Sequence, residues 1–324
     1  MLHFVWFALG LCLIFLIVDF WLTGGGWTPG SASTRMISND EAHFNDTLLR
    51  LLVPRWLGSI GHTDVCNFLV DELHHLGFNA VQNEFTDPIP ITNVLGIMNP
   101  NATHFLMLSC HYDSKYLEVA EEYVAATDGA VSCAILLNMA KRLKYFFSRE
   151  FSQRKDIGLL LVFFDGHDSV NGITDMTYPL FGSSGFVESE TIPLKQITLL
   201  ISLNLIGAPN HIYMSRYEQT FGMHERMAEI ELELRQLGLL SECHQLFYKL
   251  KDHDSDIDDD HNSFLESGVP VMHVVPHTYP ELWLHEDDNF ENLHWPTVRN
   301  MNAIITRFVY EYFKKNNGSD LNAK

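Results

Sequence analysis

Apolar residues run along this chain in short unbroken blocks separated by segments of helical periodicity. "FLMLSCHYDS" (105–114), "LLLVFFDGHDSV" (159–170), "ITLLISLNLIGAP" (197–209) and "VPVMHVVPH" (269–277) each carry a continuous apolar stretch and close on polar or turn residues, as strands buried on both faces do. Between them the spacing changes. Val65, Phe68, Leu69, Leu73 and Leu76 share one helical face, with Thr63 as the predicted cap and Gly77 as the stop. "TDGAVSCAILLNMAKRLKYFF" (127–147) sets Ala130, Cys133, Ala134, Leu137 and Ala140 at helical intervals. A last helix entered near Pro296 carries Val298, Met301, Ile305, Phe308 and Tyr312. Strands alternating with helices predict an α/β three-layer sandwich, a central mostly parallel sheet covered by helices on both faces.

The first residues break that pattern. Phe4 to Val18 carries no charge, and apolar character continues past Asp19 to Leu22. Residues 1–23 therefore read as a signal peptide or signal anchor, with the uncleaved anchor favoured. Residues 24–40, with Gly24-Gly25-Gly26, read as a linker, 41–316 as one domain and 317–324 as a polar tail. Either reading of the N-terminus puts the domain in the secretory pathway: in the Golgi or another lumen if anchored, secreted if cleaved. Membrane contact is then made through the N-terminal segment alone. Sequons at Asn45, Asn101 and Asn317 agree with that compartment, which also permits disulfides among Cys66, Cys110, Cys133 and Cys243. Spacing alone does not pair them. The formal net charge of −20 over 324 residues argues against nucleic acid or an anionic membrane surface as partner.

Chemistry-bearing residues collect where the apolar runs end. His111, Asp113, Asp128, His167, Asp168 and Asn204 all fall at or just beyond a strand end or at a helix start, the edge at which open α/β sheets place their sites. Each one singly is accounted for by capping and turn chemistry. Together they mix imidazole and carboxylate as a zinc site does.

Taken with "LLVPRWLGSIG", "SCHYDSKY", "ATDGAVSCAILL", "LLVFFDG", "NLIGAPN", "DDHNSFLESGVPVMHVVP" and "PELW..EDDNFENL", these residues resemble the glutaminyl cyclases, the glutaminyl-peptide cyclotransferases. The resemblance runs in order from about Leu51 to Tyr312. It implies a zinc-aminopeptidase-like fold, one zinc ion, and peptide or protein N-termini as substrate. N-terminal glutamine is converted to pyroglutamate with release of ammonia, by Lewis-acid activation and general acid–base transfer. It also implies a disulfide between Cys110 and Cys133.

Carried over residue by residue, the family's zinc ligands are an Asp, a Glu and a His. The Asp is Asp128. The Glu position is Asp168, shorter by about one bond length where zinc sites hold distances to about 0.2 Å. The His position, directly after Trp283, is Leu284. His167 stands where the family has its proton-handling Glu, and Asn204 where it has an Asp on the next strand. Asp259 matches an acid in the same network. Trp283 and His273 match pocket positions. His285 or His167 offers a nitrogen that restores a three-donor set with Asp128 and Asp168, and a neutral His167 offers a base. His111 aligns with a ligand of the second metal position in related aminopeptidases, but that position also needs the acid now replaced by Asn204. His111, oriented by Asp113, is expected to be structural. The acidic run "DHDSDIDDDH" (252–261) otherwise reads as a solvated loop.

The expectation is a glutaminyl-peptide cyclotransferase whose activity is weak or lost, with zinc at doubtful occupancy. The alternative is a catalytically inactive homologue that binds peptides in a lumen or outside the cell. A metallo-aminopeptidase is the weakest reading, because both metal positions are altered.

Overall fold

A computed structural model of the chain describes residues 40–86, 89–152, 154–168, 180–252 and 257–315. The expected signal or anchor segment, most of the linker, the polar tail with Asn317, and parts of the loops at 169–179 and 253–256 lie outside the described residues. In chain order the elements are helices α1 (Glu41–Leu51) and α2 (Ile60–Leu76), and strands β1 (Asn79–Thr86), β2 (Pro90–Met98) and β3 (His104–His111). A wide turn at Ala126–Ala130 leads into α3 (Val131–Phe146), followed by β4 (Ile157–Phe164), α4 (Phe181–Glu188) and β5 (Ile197–Leu203). Then come β6 (Tyr213–Ser215), α5 (Phe221–Gln236), β7 (Phe247–Lys251), α6 (Asn262–Glu266), β8 (Val271–Val274) and α7 (Trp295–Lys315).

Six strands form the central sheet in the order β1-β2-β4-β3-β5-β8. The four strands β4, β3, β5 and β8 pair in parallel, while β1 pairs with β2, and β2 with β4, antiparallel. The parallel strands are those the unbroken apolar runs predict, and β4 is buried along its whole length. β1, "NAVQNEFT", has no apolar run and none of its residues is buried, which is why the antiparallel edge escapes a hydrophobicity reading.

Side chains alternate across the sheet and recruit helices to both faces. Leu160, Val162 and Phe164 of β4 join Met107 of β3 and Leu95 of β2 in one cluster with Phe186 of α4 and Phe264 of α6. Cys110 of β3 takes part in a disulfide with Cys133 of α3, Cα atoms 5.8 Å apart, tying that helix to the strand. Cys66 and Cys243 are free thiols. The start of α2 differs from the expected one. Ser59, not Thr63, is the cap, accepting from the His62 N–H at 3.0 Å, because the helix begins one turn earlier at Ile60. Gly77 ends it in the left-handed region, φ 92°, as expected. No described helix is long and apolar enough to cross a membrane.

Candidate active site

The C-terminal ends of the parallel strands converge on one buried polar cluster. β3 ends at His111, with Asp113 two residues on. The turn after β4 presents His167 and Asp168, Asn204 follows β5, and His273 lies within β8. Asp259 and Asp260 precede α6. All of these side chains are buried, as is Asp128.

Asp128 reaches the cluster because its backbone is bent. Within the wide turn it takes φ −91°, ψ 74°, and Gly129 takes φ 101°. A Cβ at Gly129 would lie 2.7 Å from the His111 carbonyl oxygen, so both the angle and the close approach require glycine. Two buried side chains hold the bend. Asp288 accepts from the Thr127 N–H at 2.8 Å and hydroxyl at 3.0 Å, and from the Asp128 N–H at 3.4 Å. The fully buried guanidinium of Arg55 donates to the carbonyls of Tyr112 at 2.7 Å, Ala125 at 3.1 Å and Asp128 at 3.3 Å.

The cluster is organised around two stacked imidazoles. The rings of His111 and His167 lie 3.9 Å apart at 13°. His111 Nε2 is 3.3 Å from both Asp128 Oδ1 and Asn204 Oδ1. His167 Nδ1 is 3.2 Å from Asp260 Oδ2 and 3.7 Å from Asp259 Oδ1. Asp259 Oδ2 accepts from His273 Nε2 at 2.8 Å and from the Asn204 amide at 3.3 Å. The Trp283 indole N–H donates to Asp128 Oδ2 at 3.2 Å, and Asp113 Oδ2 accepts from the Asp168 N–H at 3.0 Å. Asp168 Oδ2 is buried and, among the described residues, has no hydrogen-bond partner.

This crowding of charge sets the titration of each group. Burial pushes Asp168 up to about 7, and the carboxylates of Asp128 and Asp113 add to it. Burial and His111 both oppose a proton on His167, but Asp260 and Asp259 outweigh them and raise it to about 9. Burial likewise opposes charge on His111, yet Asp113 and Asp128 hold its pKa well above the usual imidazole range. Burial also works against the Asp113 carboxylate, and bonding to His111 reverses it, lowering that group to about 2.

The residues expected to hold zinc are only partly gathered. Both oxygens of Asp128 already face donors, His111 and Trp283. Leu284 brings an apolar side chain on a left-handed backbone, φ 60°, and His285 beyond it is exposed. Among the described residues, the three-donor groups with atoms within 4.8 Å of one another are Asp259–His261–His273 and His167–Asp259–Asp260. Neither Asp128–Asp168–His285 nor Asp128–Asp168–His167 is among them. The family's zinc position, one nitrogen and two oxygens centred on Asp128 and Asp168, is not fitted by the residues present. Trp283 is half-buried and stacks on Tyr279 at 4.4 Å, whereas His273 is interior, fixed on Asp259. Sequence reasoning missed Asp260, Asp288 and Arg55 as members of the cluster. All three sit inside the quoted motifs, but nothing in their spacing says which acid or base turns inward.

Residues 93–309 match the sequence profile of Peptidase family M28. The glutaminyl-peptide cyclotransferase of Drosophila melanogaster is 32% identical over 292 residues, covering 85% of this chain and 81% of that protein. The glutaminyl-peptide cyclotransferase-like protein of Mus musculus is 34% identical over 287 residues, covering 82% and 74%. Among solved structures, Macrostomum lignano glutaminyl cyclase superposes with a TM-score of 0.75 at 26% identity, over 88% of this chain and 93% of that one. A Zn-dependent exopeptidase from Parabacteroides distasonis shares the fold, with a TM-score of 0.65 at 18% identity over 86% and 97%.

Proposed function

We propose, from the premise that this chain belongs to peptidase family M28 and to the glutaminyl-peptide cyclotransferases, that it keeps the cyclase scaffold while zinc-assisted cyclisation of N-terminal glutamine is weak or lost. The observation that carries this reading is the state of Asp128. Its carboxylate is engaged by His111 and Trp283, and the neighbouring position that should bring an imidazole brings Leu284. Two carboxylates without a nitrogen donor make a poor zinc site.

The proton-handling positions support the same conclusion. His167, raised to about 9 by Asp260 and Asp259 against burial and His111, holds a proton at neutral pH in the metal-free chain and cannot take up another as a base. Asn204 does not titrate there. Its amide is spent on Asp259, and its carbonyl accepts from the Leu205 N–H at 2.7 Å.

A second reading, recognition of peptide N-termini in a lumen or outside the cell, is favoured by the unpartnered Asp168 Oδ2 and by the Trp283–Tyr279 stack. A buried carboxylate oxygen without a donor suits an α-ammonium group, and an aromatic wall suits the first side chain. Calorimetric titration of a glutamine-initiated peptide into the purified chain, with the products checked by mass spectrometry, tests both. The expected result is binding that N-acetylation of the peptide weakens, with the peptide recovered unchanged. Conversion to pyroglutamate would overturn the first reading, and no binding of either peptide the second.

A further inference from the structure

We infer that this chain binds a divalent transition-metal ion of the zinc class through His167 Nδ1, Asp259 Oδ1 and Asp260 Oδ2, a site separate from the Asp128–Asp168 pair. The three donors are buried and lie within 4.8 Å of one another. Zinc bonds of about 2.0–2.1 Å in a tetrahedral array set neighbouring donors about 3.3 Å apart. His167 Nδ1 stands 3.2 Å from Asp260 Oδ2 and 3.7 Å from Asp259 Oδ1, a spacing that suits ligands around an ion. In the metal-free chain the His167–Asp260 approach is a hydrogen bond, which a bound ion replaces by displacing the proton between the two groups.

A second observation points to a cation. Asp260 is 1% exposed, and among the described residues its Oδ1 has no hydrogen-bond partner. A buried carboxylate that the protein leaves half unsatisfied costs free energy that a cation bound to it offsets. The donor set is one imidazole and two carboxylates, the composition that the family resemblance implies for zinc and that the Asp128 position no longer assembles. Its ligands are also oriented from behind. The His167 ring is stacked on His111, and Asp259 Oδ2 is fixed by His273 and Asn204, contacts that preset ligand geometry. The neighbouring Asp259–His261–His273 group is less suited. Its His273 Nε2 and Asp259 Oδ2 are already closed on each other at 2.8 Å, and His261 Nε2 is bonded to the Tyr217 hydroxyl.

The test uses the full chain equilibrated with zinc, dialysed against metal-free buffer and assayed for bound metal, with zinc-edge anomalous scattering from crystals of the unaltered protein. The expected result is one zinc per chain, with the anomalous peak between His167, Asp259 and Asp260. Asp260→Asn lowers zinc affinity at least tenfold, and Asp128→Asn changes it less than twofold. No retained zinc, or a peak at Asp128 with the opposite response of the two variants, overturns the inference. The scattering readout does not depend on either variant folding. Because the test reads binding and not turnover, its outcome is separate from that of the proposed loss of cyclisation.

Discussion

The indole N–H of Trp283 donates to Asp128 Oδ2 at 3.2 Å, while His111 Nε2 faces Asp128 Oδ1 at 3.3 Å. The carboxylate that the family resemblance assigns to zinc is therefore held from two sides by the protein itself. One of the two groups, Trp283, directly precedes Leu284, which stands where the resemblance expects a histidine ligand. On the proposed reading, loss of the metal position and capture of its remaining aspartate are two aspects of one rearrangement.

Restoring the missing donors should reverse it. Leu284→His combined with Asp168→Glu is expected to raise zinc affinity at the Asp128 position at least tenfold, read by competition with a chromogenic chelator. Trp283 fluorescence should change on zinc addition in the double variant, as the indole gives up its carboxylate. An unchanged affinity would show that Leu284 is not what excludes the ion.

Asp288 holds the bend that presents Asp128. Asp288→Ala strands the buried Thr127 N–H and hydroxyl, at roughly 1–3 kcal/mol per unsatisfied group, so a loss of about 2–6 kcal/mol in urea unfolding is expected. Asp288→Asn should cost less, because burial raises the Asp288 carboxyl to about 7 and its charge is only marginally held. Equal losses for the two variants would contradict a hydrogen-bonding role.

The cluster also makes stability depend on pH. Asp168 and Asp288, both raised to about 7 chiefly by burial, keep protons in the folded chain that unfolded carboxylates release near pH 4 or so. Their effect is a fall in stability as pH rises between those values. His167, raised to about 9, contributes stability that is full below about pH 6.5 and lost as pH rises through 9. Asp113, lowered to about 2, contributes stability above about pH 4 that is lost on acidification. The melting temperature should peak at about pH 4 and fall toward pH 9, with at most about 1.4 kcal/mol per pH unit for each titrating proton. Asp168→Asn should flatten the decline between about pH 4 and 7. A melting temperature that rises from pH 5 to 8 contradicts this account.

How much of this was legible in the sequence varies with the physical signal behind each feature. β4 announces itself because all eight of its residues are buried, and His167 and Asp168 follow at the expected sheet edge. The Cys110–Cys133 disulfide came from family resemblance, since spacing alone left the cysteines unpaired. The stacking of His111 on His167 joins residues 56 positions apart across two strand ends, and no local pattern encodes it. The resemblance marks Asp259 and not Asp260, although both turn inward, because neighbouring acids in a charged run look alike until α6 fixes their direction. The apolar stripe does not reveal Ser59 as the cap, because Ile60 after it is exposed and adds nothing to that stripe.

The Cys110–Cys133 bond closes a chain segment of 23 residues that contains the whole turn around Asp128. Loop-closure entropy for a segment of that length is about 3 kcal/mol. Cys110→Ser with Cys133→Ser should lower unfolding free energy by about that amount, measured in urea without reductant. A change below about 1 kcal/mol would mean that the unfolded chain is not relaxed by removing the link.

The most direct measurement of the central claim is the rate of pyroglutamate formation from a glutamine-initiated peptide by the zinc-saturated full chain, beside its Asp128→Ala variant. The account predicts that both stay at or near the uncatalysed rate and do not differ. Sustained turnover by the unaltered chain, abolished by Asp128→Ala, would contradict it.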